Sequence, residues 1–145
     1  MNTIPETTVT VLGALGRGLP MLLSQFGVCL LLLIIGLFVY TVVTPFRERE
    51  LLRGGNAAAA TVLGGALFAL AIPLAALLAT TSALLDLVVW GVVALILQLV
   101  TVIVVSLLLR GMRGMIEAGQ VAAAIPLVAA QLSIGLLNAA AMVPV

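Results

Sequence analysis

The sequence predicts an all-α, polytopic membrane protein with four transmembrane helices. Of its 145 residues, 64% are hydrophobic and only 8% are charged, whereas soluble domains have roughly 45–50% apolar and ~25% charged residues. The mean hydropathy is +1.41. The charged residues cluster and leave four apolar stretches, at residues 19–43, 57–80, 84–109 and 121–143. Each stretch provides the roughly 20 residues that a helix needs to cross the hydrocarbon core.

The first apolar stretch is expected to be a retained membrane span. It is longer than the ~7–15-residue apolar core of a signal peptide, it lacks a basic start, and no small-residue cleavage pattern follows it. Residues 7–19, just before it, contain three glycines and no long apolar face. We expect them to form an interfacial lead-in outside the span.

The arginines predict the orientation in the membrane. Arg47, Arg49 and Arg53 lie between the first two spans, and Arg110 and Arg113 lie between the last two. Loops rich in Lys and Arg stay in the cytoplasm. We therefore expect both arginine loops in the cytoplasm of a bacterial inner membrane and both termini outside, in the periplasm.

The two halves of the chain resemble each other under a shift of 64 residues. The shift places Arg49 on Arg113, Gly55 on Gly119, Asn56 on Gln120, and residues 58–60 on residues 122–124. We interpret residues 1–145 as one membrane domain made of two helical hairpins, 20–82 and 84–145. Because each hairpin has two spans, both copies have the same orientation, unlike inverted transporter repeats.

The segment between the first two spans predicts a short interfacial helix. Thr44 is a suitable N-cap, Pro45 fits the first helical position, Gly54 or Gly55 ends the helix, and Asn56 caps the next span. The acidic residues of this loop nearly cancel its basic ones. We expect a solvated, self-paired loop rather than a lipid site.

Small residues recur at every fourth position of the second span, at Ala57, Thr61, Gly65 and Ala69. This spacing places them on one stripe of the helix. In lipid, close packing of small residues is a main source of helix association. The stripe is a candidate for packing against another helix of the same chain or for an oligomer seam, and the sequence leaves both open.

Four polar side chains within the apolar stretches are candidate functional groups. Asp86 lies near the outer end of the third span, where the helix dipole stabilises an anion, so it suits either capping or ion and proton handling. We expect Asn138 to lie at the same depth and to pair with Asp86. Gln98 and Gln131 are expected to hydrogen-bond across helices, or alternatively to line a polar path.

The sequence lacks the side-chain patterns of common enzymes. It contains no histidine, no lysine and one cysteine, Cys29. There is no nucleotide-binding motif, no pair of neighbouring carboxylates and no metal-ligand spacing. We expect no enzymatic activity, no metal, no cofactor and no nucleic-acid partner.

A set of glycine, proline and polar positions resembles a known family. The positions are Gly54-Gly55-Asn56, Gly64-Gly65, Pro73, Asp86, Trp90-Gly91, Gly119 and Asn138. Together they are similar to the DUF350, or UPF0719, family of bacterial inner-membrane proteins over about residues 20–143. The resemblance implies a four-helix membrane protein of unknown function, often encoded near membrane-remodelling proteins and ATP-grasp ligases. Gln120, where the family has asparagine, departs from the pattern.

These observations favour a non-enzymatic inner-membrane scaffold or anchor that forms a homo-oligomer, with a role in envelope stress. Besides the lipid bilayer, the expected partner is a cytoplasmic membrane-remodelling protein, bound through Arg47, Arg49 and Arg53. The alternative is a small oligomeric ion or proton channel, or a transporter, that uses Asp86 and Asn138.

Overall fold

The computed structural model describes residues 6–44 and 48–143, without the side chains of residues 6–10, 12 and 48. Its described part is all-helical and has no strand, which confirms the predicted fold class. Four of the helices are long and apolar enough to cross a membrane. The helices are α1 (Glu6–Val43), α2 (Glu48–Arg53), α3 (Ala57–Thr80), α4 (Leu84–Leu108), α5 (Met112–Glu117) and α6 (Val121–Met142).

The first helix starts earlier than predicted. It begins at Glu6 and continues through Pro20 without interruption, so residues 7–19 are part of α1 and not a separate lead-in. Its apolar part, Gly13–Val43, has 31 residues. At 1.5 Å per residue this part is about 46 Å long, which exceeds the ~30 Å of hydrocarbon. The helix is therefore longer than a perpendicular span requires.

The two short helices end in the same way. Gly55 and Gly119 have φ values of 76° and 83°, a conformation that glycine adopts without steric cost. The amide of Asn56 donates to the Leu51 carbonyl at 3.0 Å, and the amide of Gln120 donates to the Met115 carbonyl at 2.9 Å. Each bond spans five residues and closes a Schellman motif. Of the two predicted glycines, Gly55 is the one that ends α2.

Residues 45–47 lie outside the described residues. They include Pro45, the predicted first helical position of α2, and Arg47. Thr44 is described, and its hydroxyl donates to the Tyr40 carbonyl at 2.7 Å. That bond places Thr44 at the end of α1. The residues that Thr44 would cap lie among residues 45–47, so its role as the N-cap of α2 stays a prediction.

The helix bounds follow the 64-residue offset. The bounds of α5 are those of α2 moved by 64 positions, and α6 begins 64 positions after α3. The duplication of residues 20–82 in residues 84–145 stays a prediction, with which these offsets agree.

The centre of the bundle is the parallel pair of α3 and α6, which make the most extensive helix contact. A Cβ added at Gly65 would overlap Val128, and one added at Gly135 would lie 2.7 Å from the Ala69 carbonyl oxygen. Pro73 is inside α3 and removes the amide that would bond that same carbonyl. The two backbones therefore touch at Gly135, and α1 and α4 pack around this pair.

Candidate functional site

Three of the four predicted polar side chains lie between α4 and α6. Gln98 and Gln131 are 0% exposed and Asn138 is 8% exposed. The Gln98 Nε2 donates to the Gln131 carbonyl at 2.9 Å, and the Asn138 Nδ2 donates to the Ala94 carbonyl at 3.0 Å. These two bonds hold α4 and α6 antiparallel. The amides thus cross-link two helices in the apolar interior.

The glutamine amides retain unused hydrogen-bonding capacity. Among the described residues, no partner lies within bonding distance of the Gln98 Oε1 or of either side-chain polar atom of Gln131. A buried polar group without a partner costs about 1–3 kcal/mol. An amide does not titrate, so these residues are suited to hydrogen bonding and not to proton transfer.

The predicted pairing of Asp86 with Asn138 is wrong. Asp86 is exposed, and it has no hydrogen bond or ion pair within the described part of the chain. The register of α4 and α6 aligns Asn138 with Ala94, eight residues beyond Asp86 and therefore about 12 Å further along the helix. Asp86 instead borders a small cavity of about 270 Å³ with Thr80, Trp90 and Met142.

The arginine-bearing end of the bundle is held together by Asn56. Its Oδ1 accepts from the Ala59 amide at 2.9 Å, which confirms that Asn56 caps α3. Its Nδ2 donates to the carbonyls of Ile116 at 2.9 Å and Glu117 at 3.0 Å, at the end of α5. One side chain therefore joins the two short helices. Gln120, at the matching position of the second half, makes no side-chain cap bond.

The surface formed by α2 and α5, here called the α2–α5 surface, carries most of the described charges. Arg49, Arg53 and Arg113 are exposed there, and Arg110 is exposed in the turn just before α5. The Arg113 Nε donates to the Glu117 Oε1 at 2.9 Å, between two half-exposed side chains. Arg47, the third predicted contact residue, lies outside the described residues.

The small-residue stripe of α3 packs largely within the chain. Gly65 and Ala69 are buried and face Val128 and Gly135 of α6. Thr61 is half-buried, with its hydroxyl donating to the Ala57 carbonyl at 2.8 Å, and Ala57 is exposed. A partner chain cannot contact Gly65 and Ala69 unless α6 moves away.

Sequence reasoning missed two structural roles. Gln25 is buried, and its Nε2 donates to the Ser82 carbonyl at 2.9 Å, which ties α1 to the turn between α3 and α4. The sequence feature that could have indicated this role is that Gln25 is the one amide side chain in the first apolar stretch. The bonds from Asn56 to α5 could not be predicted from the sequence. The sequence indicated only that the two arginine loops lie at the same end of the bundle. Within the described residues, no group of three or more His, Cys, Asp or Glu could hold a metal ion.

Four apolar helices joined by short connections, with polar groups sealed between them, define a small multi-pass membrane protein. The family model for a domain of unknown function, DUF350, matches residues 14–142, and the chain belongs to this family. The predicted family resemblance is thereby confirmed.

Two curated relatives place the chain in the inner membrane. It is 32% identical over 119 residues to the UPF0719 inner membrane protein YjfL of Escherichia coli strain K12. The matched region covers 82% of this chain and 90% of that relative. The protein of the same name from Escherichia coli O157:H7 gives the same identity and coverage. No solved structure matches the chain. The chain is a multi-pass inner-membrane protein.

Proposed function

We propose that this protein is a non-enzymatic membrane scaffold that binds a cytoplasmic partner on the α2–α5 surface. The observation that carries the proposal is the set of three hydrogen bonds made by Asn56. They link two loops that are 60 residues apart in sequence, so the charged side chains on both loops lie on one fixed surface. A fixed surface loses less entropy on binding than two independent loops.

The orientation belongs to the same proposal. The α2–α5 surface and the turn before α5 hold the described arginines of both loops, and the positive-inside rule assigns such loops to the cytoplasm. The opposite end, with the start of α1 and the end of α6, then faces the periplasm. The partner class, a membrane-remodelling protein acting in envelope stress, comes only from the family resemblance.

The exposed charges on α2 suit a protein partner of mixed charge. Arg49 and Arg53 are exposed on the same short helix as Glu50. Exposed charges at the edge of a binding interface act mainly on the association rate and on the choice of partner. Neutralising both arginines should therefore weaken recruitment without unfolding the bundle.

Photo-crosslinking in membranes tests the scaffold. A photo-crosslinking residue in place of the exposed Met115 of α5 should capture a specific cytoplasmic protein. The double change Arg49→Gln and Arg53→Gln should reduce the yield at least several-fold, and Arg17→Gln, at the opposite end, should leave it unchanged. Failure to capture any cytoplasmic protein, or equal yields in all three proteins, would contradict the proposal.

A homo-oligomer is the second part of the proposal, and the outer face of α6 is its best-suited seam. Ala122, Ala129, Ser133 and Ala140 are small and exposed there, and they allow close approach of a second helix. Their successive spacings of seven, four and seven residues place them on one side of the helix.

Cysteine cross-linking tests the oligomer seam. In a Cys29→Ala background, Ser133→Cys should form cross-linked dimers in native membranes. Leu31→Cys, on the exposed side of α1, is the matched control and should remain monomeric. Cross-linking at residue 31 and not at residue 133 would move the interface to α1.

The channel alternative makes a different prediction about the polar residues. Gln98 and Gln131 have no exposed area and Asn138 has very little, so within one described chain a path past them is closed. The channel hypothesis requires ion flux in proteoliposomes that Asp86→Asn abolishes. The scaffold predicts that wild-type and Asp86→Asn liposomes are equally tight.

A further inference from the structure

A cavity of about 490 Å³ lies at the arginine-bearing end of the bundle, between the end of α1, the last turns of α4, and α5. This volume falls within the usual range for ligand pockets, roughly 300–1,000 Å³. Its apolar wall includes Val102, Ile103 and Leu107 of α4, and its polar wall includes Ser106, Arg110 and Arg113. The cavity is therefore amphipathic along the axis of α4.

The polar wall carries uncompensated positive charge. Arg110 has no hydrogen bond or ion pair among the described residues, whereas Arg113 is bound to Glu117. Basic pockets between transmembrane helices at this kind of interface recognise anionic lipid headgroups. The charge therefore favours a phosphate group beside Arg110.

Ser106 provides a second polar group for the same ligand. Hydroxyls inside membrane helices usually donate to a carbonyl one turn earlier, as those of Thr61 and Thr101 do here. The Ser106 Oγ is buried and has no such partner. It lies in the last turn of α4, four residues before Arg110, and therefore deeper in the bundle. A buried hydroxyl at that depth is placed to donate to an acceptor below a headgroup.

We propose that this cavity binds one anionic phospholipid. Its phosphate lies at Arg110, an ester carbonyl accepts from the Ser106 hydroxyl, and an acyl chain follows Ile103 and Val102 towards the membrane interior. The order of charge, hydroxyl and apolar wall along α4 matches the order of groups in a phospholipid. The site does not include Arg49 or Arg53 of the first loop. The proposal does not depend on the scaffold function.

Native mass spectrometry of the purified protein in detergent tests the site with three probes: phosphatidylglycerol, phosphatidylcholine and inorganic phosphate. One phosphatidylglycerol should be retained preferentially over phosphatidylcholine, and phosphate alone should not be retained. Arg110→Gln should weaken phosphatidylglycerol retention about five-fold, the usual effect of one basic residue near an anionic membrane. Arg17→Gln, which removes the same charge at the other end, should have no effect.

The Ser106→Ala variant separates the two parts of the site. It should weaken retention of both lipids to a similar extent, because both carry ester carbonyls, and its melting temperature without lipid should match that of the wild type. Equal retention of the two lipids by the wild type, or equal losses in Arg110→Gln and Arg17→Gln, would overturn the proposal. Retention of inorganic phosphate would replace the lipid with a free anion.

Discussion

Replacing Gly135 by alanine probes the contact between α3 and α6 at the centre of the fold. The added Cβ would lie 2.7 Å from the Ala69 carbonyl oxygen and 3.2 Å from its Cα, whereas ordinary van der Waals contact begins at 3.4 Å. Both of these atoms are backbone, so α3 itself must move. Overpacking of this kind costs about 1–3 kcal/mol, and the better helix propensity of alanine offsets about 0.5–1 kcal/mol. The expected net loss is therefore about 0–2.5 kcal/mol, with a central value of about 1 kcal/mol.

Gly64→Ala is the matched control, because a Cβ added at Gly64 of α3 meets no atom within 4 Å. This variant should be more stable than the wild type by about 0.5–1 kcal/mol. The free energy of unfolding of both variants can be measured by SDS titration in mixed micelles, followed by the fluorescence of Trp90, the single tryptophan. If Gly135→Ala were as stable as Gly64→Ala, the close approach of α3 and α6 would be refuted.

Two further predictions use the same unfolding assay. Asn56→Ala removes one cap bond and two bonds to α5 and should cost about 2–3 kcal/mol. Gln120→Ala, at the matching position without a cap bond, should change stability by less than about 0.5 kcal/mol. Equal losses of stability in Asn56→Ala and Gln120→Ala would show that Asn56 does not join the loops. In a double-mutant cycle, Asp86→Asn and Asn138→Leu should add within about 0.5 kcal/mol, as distant sites do. A larger coupling energy would indicate that Asp86 and Asn138 are paired, which the structure contradicts.

The membrane spans were predictable from the sequence because the bilayer sets their length. Few charges interrupt the apolar stretches, and the starts of α3, α4 and α6 fall at the predicted residues. The beginning of α1 was not predictable in this way. Gly13, Gly16 and Gly18 lower helix propensity, yet α1 continues through them from Glu6. Apolar length alone does not fix where a helix begins beyond the hydrocarbon.

The polar contacts between helices were harder to predict than the spans. Periodicity places Gln98, Gln131 and Asn138 on faces of their helices, but it does not give the axial register of α4 against α6. The pairing of Asp86 with Asn138 assumed that both residues lie at one depth. Asp86 is two residues after the start of α4, and Asn138 is four residues before the end of α6. Packing aligns Asn138 with Ala94 instead.

The local capping geometry was predictable, and its tertiary use was not. A glycine followed by asparagine predicts the end of one helix and the cap of the next, and Gly55 and Asn56 behave in this way. The second function of Asn56, binding the end of α5, depends on how two distant loops meet. That position follows from the packing of α3 against α6.

The most direct test of the scaffold proposal is the cryo-EM structure of the protein in native-lipid nanodiscs. The proposal predicts that α3 and α6 pair in each protomer, that Asn56 bridges α2 and α5, and that no continuous water lies past Gln98 and Gln131. A continuous hydrated path past these two residues to Asp86 would contradict it and support the channel.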